Sequence, residues 1–184
     1  MLRKHDVSKA NAYREVILFT RFDRIQKSII GVVMDKELAT LIDKNRIIET
    51  INQLFIATDK RDWPRVKRCF AKSVLFDMSS LGAGEAEQLT PHDIVTMWET
   101  GLKPLKAIHH QAGNHLVNIV EDKAKAFCYG IASHYLPNKT NINTRTFVGS
   151  YDFDLVRDKE EWRITSFRFN LKYIDGNQAL EESL

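Results

Sequence analysis

The hydrophobic period of this chain changes once, near Pro104, and that change restricts the fold more than any other feature. Before it, apolar residues recur at helical spacing: Leu41, Ile42, Ile47, Ile48, Ile51, Leu54 and Phe55 outline a helix with one buried face that runs to Thr58. After it, the segments 107–120, 124–136, 145–156 and 162–173 are rich in Val, Ile, Phe, Tyr and Thr, and read as strands. The links Glu121-Asp122-Lys123 and Arg157-Asp158-Lys159-Glu160 suit antiparallel hairpins, Pro137 begins a longer loop, and Gly113 marks a bulge. Helices first and antiparallel strands afterwards is the α+β order, with helices packed on the concave face of a curved antiparallel sheet.

Between the two regimes lies a stretch with dense local signals. In Asp59-Lys60-Arg61-Asp62-Trp63-Pro64 the first aspartate closes the long helix, and Asp62 caps a second one. Pro64 is tolerated there because its missing N–H would be unpaired in a first turn anyway. Trp63, Val66, Cys69 and Phe70 form the apolar stripe of that short helix, and Val74-Leu75-Phe76 reads as a strand. Gly82 and Gly84 mark a loop. Thr90-Pro91-His92-Asp93 then opens a third helix toward Leu102, with Ile94, Met97 and Trp98 expected inward.

The 184 residues, 43% of them hydrophobic, suit one domain with a sizeable core and an extension. Three segments are expected: a basic amphipathic extension at 1–40, whose spacing rests on Val16, Phe19, Phe22, Ile25, Ile29 and Ile30; a domain at 41–176; and a tail at 177–184. With 27 basic against 24 acidic residues the net charge is only +3, which lacks the electrostatic footprint of a nucleic-acid binder. Cys69 and Cys128 are far apart and sit in apolar runs, so buried free thiols are expected rather than a disulfide framework or zinc site. No signal-like apolar region opens the chain and no run approaches the roughly 20 apolar residues of a membrane span, so a soluble cytoplasmic protein is expected. Neither a P-loop nor a G-x-G-x-x-G is present, and His109, His110 and His115 alternate along a strand without converging, so neither cofactor nor metal is expected.

The order of these elements resembles the SnoaL-like branch of the nuclear transport factor 2-like superfamily, which includes scytalone dehydratase-like and polyketide cyclase-like proteins. The resemblance covers about Leu41 to Gly176. It rests on Asp59-x-x-Asp62-Trp63, Val74-Leu75-Phe76-Asp77, Ile108-His109-His110, the segment Ala124 to Tyr135, Gly149-Ser150-Tyr151 and Trp162-Arg163-Ile164. It implies a cone-shaped α+β fold with an apolar cavity between helices and sheet. It also implies that Asp59 orients His110, a proton-moving histidine, and that His134 is a second cavity histidine. A carboxylate accepting one ring N–H fixes the tautomer and makes the other nitrogen more basic. Two features depart from the dehydratase pattern: Thr58 and Met78 stand where that enzyme has tyrosines, and no asparagine lies near Ser150.

Phe76, Met78, Trp98, Phe127 and Tyr129 are candidates to line the pocket or to fill core, and Tyr151 and Arg168 to orient a ligand. The resulting expectation is a cofactor-independent acid/base enzyme, of dehydratase, isomerase or cyclase type, acting on a small hydrophobic oxygenated molecule. The alternative is a non-catalytic ligand-binding or protein-interaction module of the same fold. The resemblance further implies a homodimer through the sheet.

Overall fold

Ile47, Ile51 and Leu54 are fully buried on one face of the first helix, and they meet Trp162, Ile164 and Phe153 from the sheet in a single core. The computed structural model describes residues 4–183, with side-chain surroundings from Val33 to Glu182. The stripe Val16, Phe19, Phe22, Ile25, Ile29 and Ile30 lies outside those described side chains. Helix α1 spans Lys4–Asp59, so the helix expected from Leu41 is the last part of a longer one. Two compact units divide the chain, residues 1–42 and 43–184. Leu41 and Ile42, expected inward, are 64% and 44% exposed. At about 100° per residue they fall roughly 120–140° around the helix from the stripe of Ile47, Ile51 and Leu54.

Within residues 43–184, α1 is followed by α2 (Trp63–Cys69), β1 (Phe70–Asp77), β2 (Glu87–Leu89) and α3 (Pro91–Leu102). Four long strands come next: β3 (Ala107–Val120), β4 (Lys123–Tyr135), β5 (Thr144–Asp158) and β6 (Glu161–Gly176). The sheet order is β2-β1-β6-β5-β4-β3, and the two ends do not pair with each other. The pairs along β6-β5-β4-β3 are antiparallel, as is β2 with β1, but β1 runs parallel to β6. The sheet is therefore mixed rather than wholly antiparallel. β1 and β6 are neighbours in the sheet but far apart in the chain, with no hairpin between them to require an antiparallel pair. The β3–β4 register shifts between Gly113 and Leu116, where the bulge was expected.

Local chemistry accounts for the helix ends. Thr90 and Asp93 form a reciprocal capping box at the start of α3, and the Thr90 hydrogen bond holds the Asp93 carboxyl below its usual range. The buried face of α3 is centred on Ile94 and Val95, which leaves Trp98 half-buried and Met97, expected inward, 45% exposed. Asp43 accepts both guanidinium N–H groups of Arg157, at 2.9 and 2.8 Å, together with the indole N–H of Trp162. That network ties the first turn of the second unit to the β5–β6 hairpin, and the Arg157 hydrogen bonds hold Asp43 low.

Both cysteines are buried and free, and burial pushes the Cys69 thiol up to about 11 and Cys128 to about 12. Among the described residues no helix is long and apolar enough to cross a membrane. Nor is any group of three His, Cys, Asp or Glu side chains placed to hold a metal there.

Candidate active site

The site begins with how α1 stops. Arg61 adopts a left-handed conformation (φ 54°), its N–H donates to the Thr58 carbonyl, and the Asp62 N–H reaches back to Ala57. This is a Schellman ending with arginine where glycine is usual. The conformation costs an arginine about 1 kcal/mol or more. Its guanidinium offsets that strain by donating to the carbonyls of Leu102 (3.3 Å) and Leu105 (2.7 Å), which fixes the end of α3 against the end of α1. Asp62 then accepts the Arg65 N–H as the cap of α2. Asp59 is left in the last turn of α1, where the helix dipole disfavours a carboxylate by a few tenths of a kcal/mol to about 1 kcal/mol. A local rule broken at this point needs a compensating interaction.

His110 supplies it. The His110 backbone N–H donates to Asp59 Oδ2 at 2.9 Å, and the ring Nδ1 lies 2.6 Å from Asp59 Oδ1. Both side chains are largely enclosed, at 14% and 18% exposure. A carboxylate has only acceptors, so Nδ1 carries a proton, and in the neutral ring Nε2 keeps a free lone pair. Phe55, one turn before Asp59, stacks on the imidazole with ring centroids 5.2 Å apart and 18° between planes. One ring hydrogen bond and a stacked ring thus set the imidazole, while the backbone bond holds the carboxylate in place. His109, next along β3, points the other way and is 75% exposed, its ring 3.9 Å from Asp59.

His110 is part of the wall of a hollow of about 160 Å3 enclosed by α1, α3 and the inner face of the sheet. Phe55, Thr58, Met78, Leu81, Trp98, Leu102, Ala132, His134, Phe147, Tyr151, Phe167 and Phe169 complete the lining. The surface is mainly apolar, and an apolar cavity of roughly this size admits a benzene-sized molecule. Its polar groups are few. The Thr58 hydroxyl donates to the Leu54 carbonyl at 2.8 Å. Tyr151, only 5% exposed, stacks among Phe55, Phe153 and Phe169, and burial raises its phenol well above the ordinary range. No hydrogen bond engages that phenol among the described residues, so it is available to a guest. Gly130 makes room for the ring: a Cβ there would lie 2.1 Å from Tyr151 Cε2.

His134 lies on the inner face of β4, packed edge-on against Phe147. Burial, reinforced by the nearby Arg145 charge, lowers its pKa to about 4, so it is neutral at ordinary pH.

The structure brings Asp59, His110, His134, Met78, Trp98 and Tyr151 to this one place, and it puts four other candidates elsewhere. Phe76 is core, stacked on Phe167 with centroids 5.2 Å apart. Tyr129 is on the outer face of β4, 46% exposed, with Lys172 Nζ 4.1 Å above its ring. Phe127 is its edge-on neighbour on that face. Arg168 reaches away from the hollow to Asp77, donating from Nε at 2.7 Å. Asp77 also accepts from Ser79, and those bonds, Ser79's foremost, hold it below the usual carboxylate range.

Sequence reasoning missed Phe55, Leu81, Leu102, Ala132, Phe147, Phe167 and Phe169 as lining. Phe55 carried a usable signal, since it sits one helical turn before Asp59. The aromatic residues of β5 and β6 were recognisable as inward-facing by alternation, but nothing in the sequence separated lining from core.

An open sheet laid over helices, with a helix-tip carboxylate holding an imidazole at the wall of an apolar hollow, defines an α+β protein of the nuclear transport factor 2-like class. The chain belongs to the SnoaL-like domain family, whose profile matches residues 39–168. Among solved structures it is similar to the Kfla4162 protein of Kribbella flavida, at 22% identity and TM-score 0.69, covering 74% of this chain and 95% of that one. It is also similar to a provisionally assigned scytalone dehydratase of Novosphingobium aromaticivorans, at 12% identity and TM-score 0.66, covering 76% and 90%. A third similar structure is the LinA-type3 hexachlorocyclohexane dehydrochlorinase of Novosphingobium barchaimii, at 16% identity and TM-score 0.62, covering 77% and 94%. At such identities the likeness speaks to the fold. No curated protein matches this chain in sequence.

Proposed function

We propose that this protein is a cofactor-independent acid/base enzyme that removes and returns a proton on a small, hydrophobic, oxygenated molecule of about one ring. The observation that carries the reading is the 2.6 Å contact between Asp59 and His110 at the wall of the hollow. Asp59 holds the tautomer, His110 Nε2 takes a proton from carbon or oxygen of the bound molecule, and the imidazolium so formed is stabilised by the carboxylate. His134 and the Tyr151 phenol face the same hollow as uncharged polar groups. The reaction types in view are elimination, isomerisation and ring closure. Two of the similar structures bear names that describe eliminations, of water and of hydrogen chloride.

Deuterium exchange tests the proposal without a known substrate. A panel of single-ring ketones and hydroxyketones is incubated in D2O with the protein and followed by NMR. Wild type is expected to exchange an acidic C–H in at least one compound, and His110→Gln to slow it by about 10²–10⁴, the usual contribution of a positioned base. No exchange across the panel, or equal rates for both proteins, would overturn the reading in favour of a binding module.

The homodimer belongs to the same proposal. The outer face of β3 and β4 leaves Leu116, Val120, Tyr129, Ile131 and Tyr135 at 40–70% exposure, a surface that a second copy would cover. Light scattering should then give the mass of two chains, and a monomer at all concentrations would contradict it.

A further inference from the structure

The last residues of the chain are tied to the hollow through one arginine. Gly176 ends β6 at φ 84°, and a Cβ there would lie 2.3 Å from the Thr144 carbonyl oxygen, so the chain turns closely against the start of β5. The Asn177 N–H then donates to Thr144 at 2.8 Å. Leu180 is fully buried in a small cluster with Leu105, Ile108 and Leu136. That anchor places the Glu181–Ser183 turn beside β5, where Glu181 receives both terminal N–H groups of Arg145, at 2.5 and 2.8 Å. Burial works against the Glu181 charge, but the Arg145 hydrogen bond and charge overcome it and hold the carboxyl below its usual range. The Gln178 carbonyl takes a further bond from Arg145 at 3.1 Å.

Arg145 pairs across the β4–β5 register with His134, and its Nη2 lies 3.3 Å from His134 Nδ1. A guanidinium has donors and no acceptors, so Nδ1 must be the accepting nitrogen and the ring proton must sit on Nε2. No protein group engages that Nε2 among the described residues, and His134 lines the hollow. Asp59 imposes the opposite tautomer on His110, whose neutral ring carries its proton on Nδ1. In the β3–β4 register Ile108 faces His134 and His110 faces Ala132, so the two histidines are diagonal neighbours on the inner face. The α-carbons of such diagonal pairs lie about 7–8 Å apart, and both rings line the same hollow.

We infer that Arg145, held by Glu181 of the C-terminal turn, is a positioning residue that fixes His134 as the Nε2–H tautomer. The hollow thereby selects a ligand with an acceptor oxygen opposite the atom that faces His110. The residues set apart in sequence as a tail thus belong to the site. The inference deepens the proposed acid/base reading: a proton acceptor on one side and a neutral donor on the other match a carbonyl or hydroxyl compound with an acidic C–H two or three bonds from the oxygen. A saturated hydrocarbon ring of the same size gains nothing from His134. The low pKa of His134 supports the assignment, since it keeps the ring neutral while it donates.

Long-range proton–nitrogen correlation of the histidine rings at pH 7 tests this directly, because protonated and bare ring nitrogens resonate far apart. His134 is expected as neutral Nε2–H, and Arg145→Met is expected to convert it to a tautomer mixture while leaving the His110 signals unchanged. Glu181→Gln should move the same signals in the same direction by less, and it provides a second variant if Arg145→Met does not fold. In binding titrations wild type should prefer cyclohexanone to methylcyclohexane by up to about tenfold, the range of one neutral hydrogen bond, and the variants should lose that preference. His134 found as Nδ1–H or as a cation in wild type would overturn the inference, as would a tautomer unchanged in both variants. These readouts require no turnover, so they can fail while the His110 exchange result stands, and the reverse.

Discussion

Acidification should destabilise this protein well above the pH at which its carboxylates protonate, and His134 is the main reason. In the folded chain its pKa is lowered from 6.5 to about 4, chiefly by burial and then by the Arg145 charge. Because the folded value lies below the unfolded one, the unfolded chain binds the proton first as pH falls. The stabilising contribution is therefore complete above about pH 6.5 and is lost downward toward pH 4. A difference of about 2.5 units corresponds to roughly 3 kcal/mol, of which about 1.4 should be gone at pH 5.5 and about 2.5 at pH 4.5.

His115, also lowered by burial, adds to the loss in the same direction. The carboxyls held low in the folded state, Asp43, Asp77, Asp93 and Glu181, contribute only below the ordinary carboxylate range. Urea unfolding of wild type and His134→Gln between pH 7.5 and 4.5 isolates the term, since His115 and the acids are common to both. The difference in unfolding free energy should shrink by about 2–3 kcal/mol over that range. A difference that stays constant with pH would refute the account of His134 as a ring buried neutral.

Three further substitutions follow from contacts around the site. Gly130→Ala should cost about 1–3 kcal/mol by urea unfolding and weaken ligand binding, because the new methyl meets the Tyr151 ring at 2.1 Å; no change in either would contradict the close approach. Arg61→Ala should cost about 2 kcal/mol, since it removes the charged donor to Leu102 and Leu105 while the left-handed strain stays the same. Arg61→Gly should recover part of that loss through the backbone alone. Asp59→Asn should retain the fold, melting near wild type, and slow deuterium exchange by tenfold or more, because His110 Nδ1–H loses its anionic acceptor.

The features of this protein that were legible in its sequence are those set by short-range rules. The Pro91–Leu102 helix follows from its Thr90–Asp93 box, and the four long strands follow from alternation and turn residues. The helix-tip position of Asp59 follows from the signals between residues 56 and 64. What escaped is what depends on residues distant in the chain. The three-residue β2 is too short for any period, and the parallel β1–β6 pair joins strands far apart in the chain. Leu41, Ile42 and Met97 were misplaced because hydrophobicity shows that a residue prefers burial, while the angle about the helix decides whether it is buried.

At the site, Asp59 and His110 were singled out by the family resemblance, and only Asp59 is also marked by a local signal, the end of α1. Tyr129 and Arg168 read as pocket residues by type, but alternation turns the first outward and Asp77 holds the second. The Arg145–Glu181 pair, 36 residues apart with Glu181 in a polar tail, had no sequence signal.

A crystal soaked with cyclohexanone, refined at a resolution that shows ring orientation, measures the central claim most directly. The account predicts density for one ring inside the hollow, its oxygen within hydrogen-bond reach of His134 Nε2 or the Tyr151 hydroxyl, and an α-carbon toward His110 Nε2 while Asp59 grips Nδ1. A hollow closed by its own side chains, or an Asp59 carboxylate turned away from His110, would contradict it.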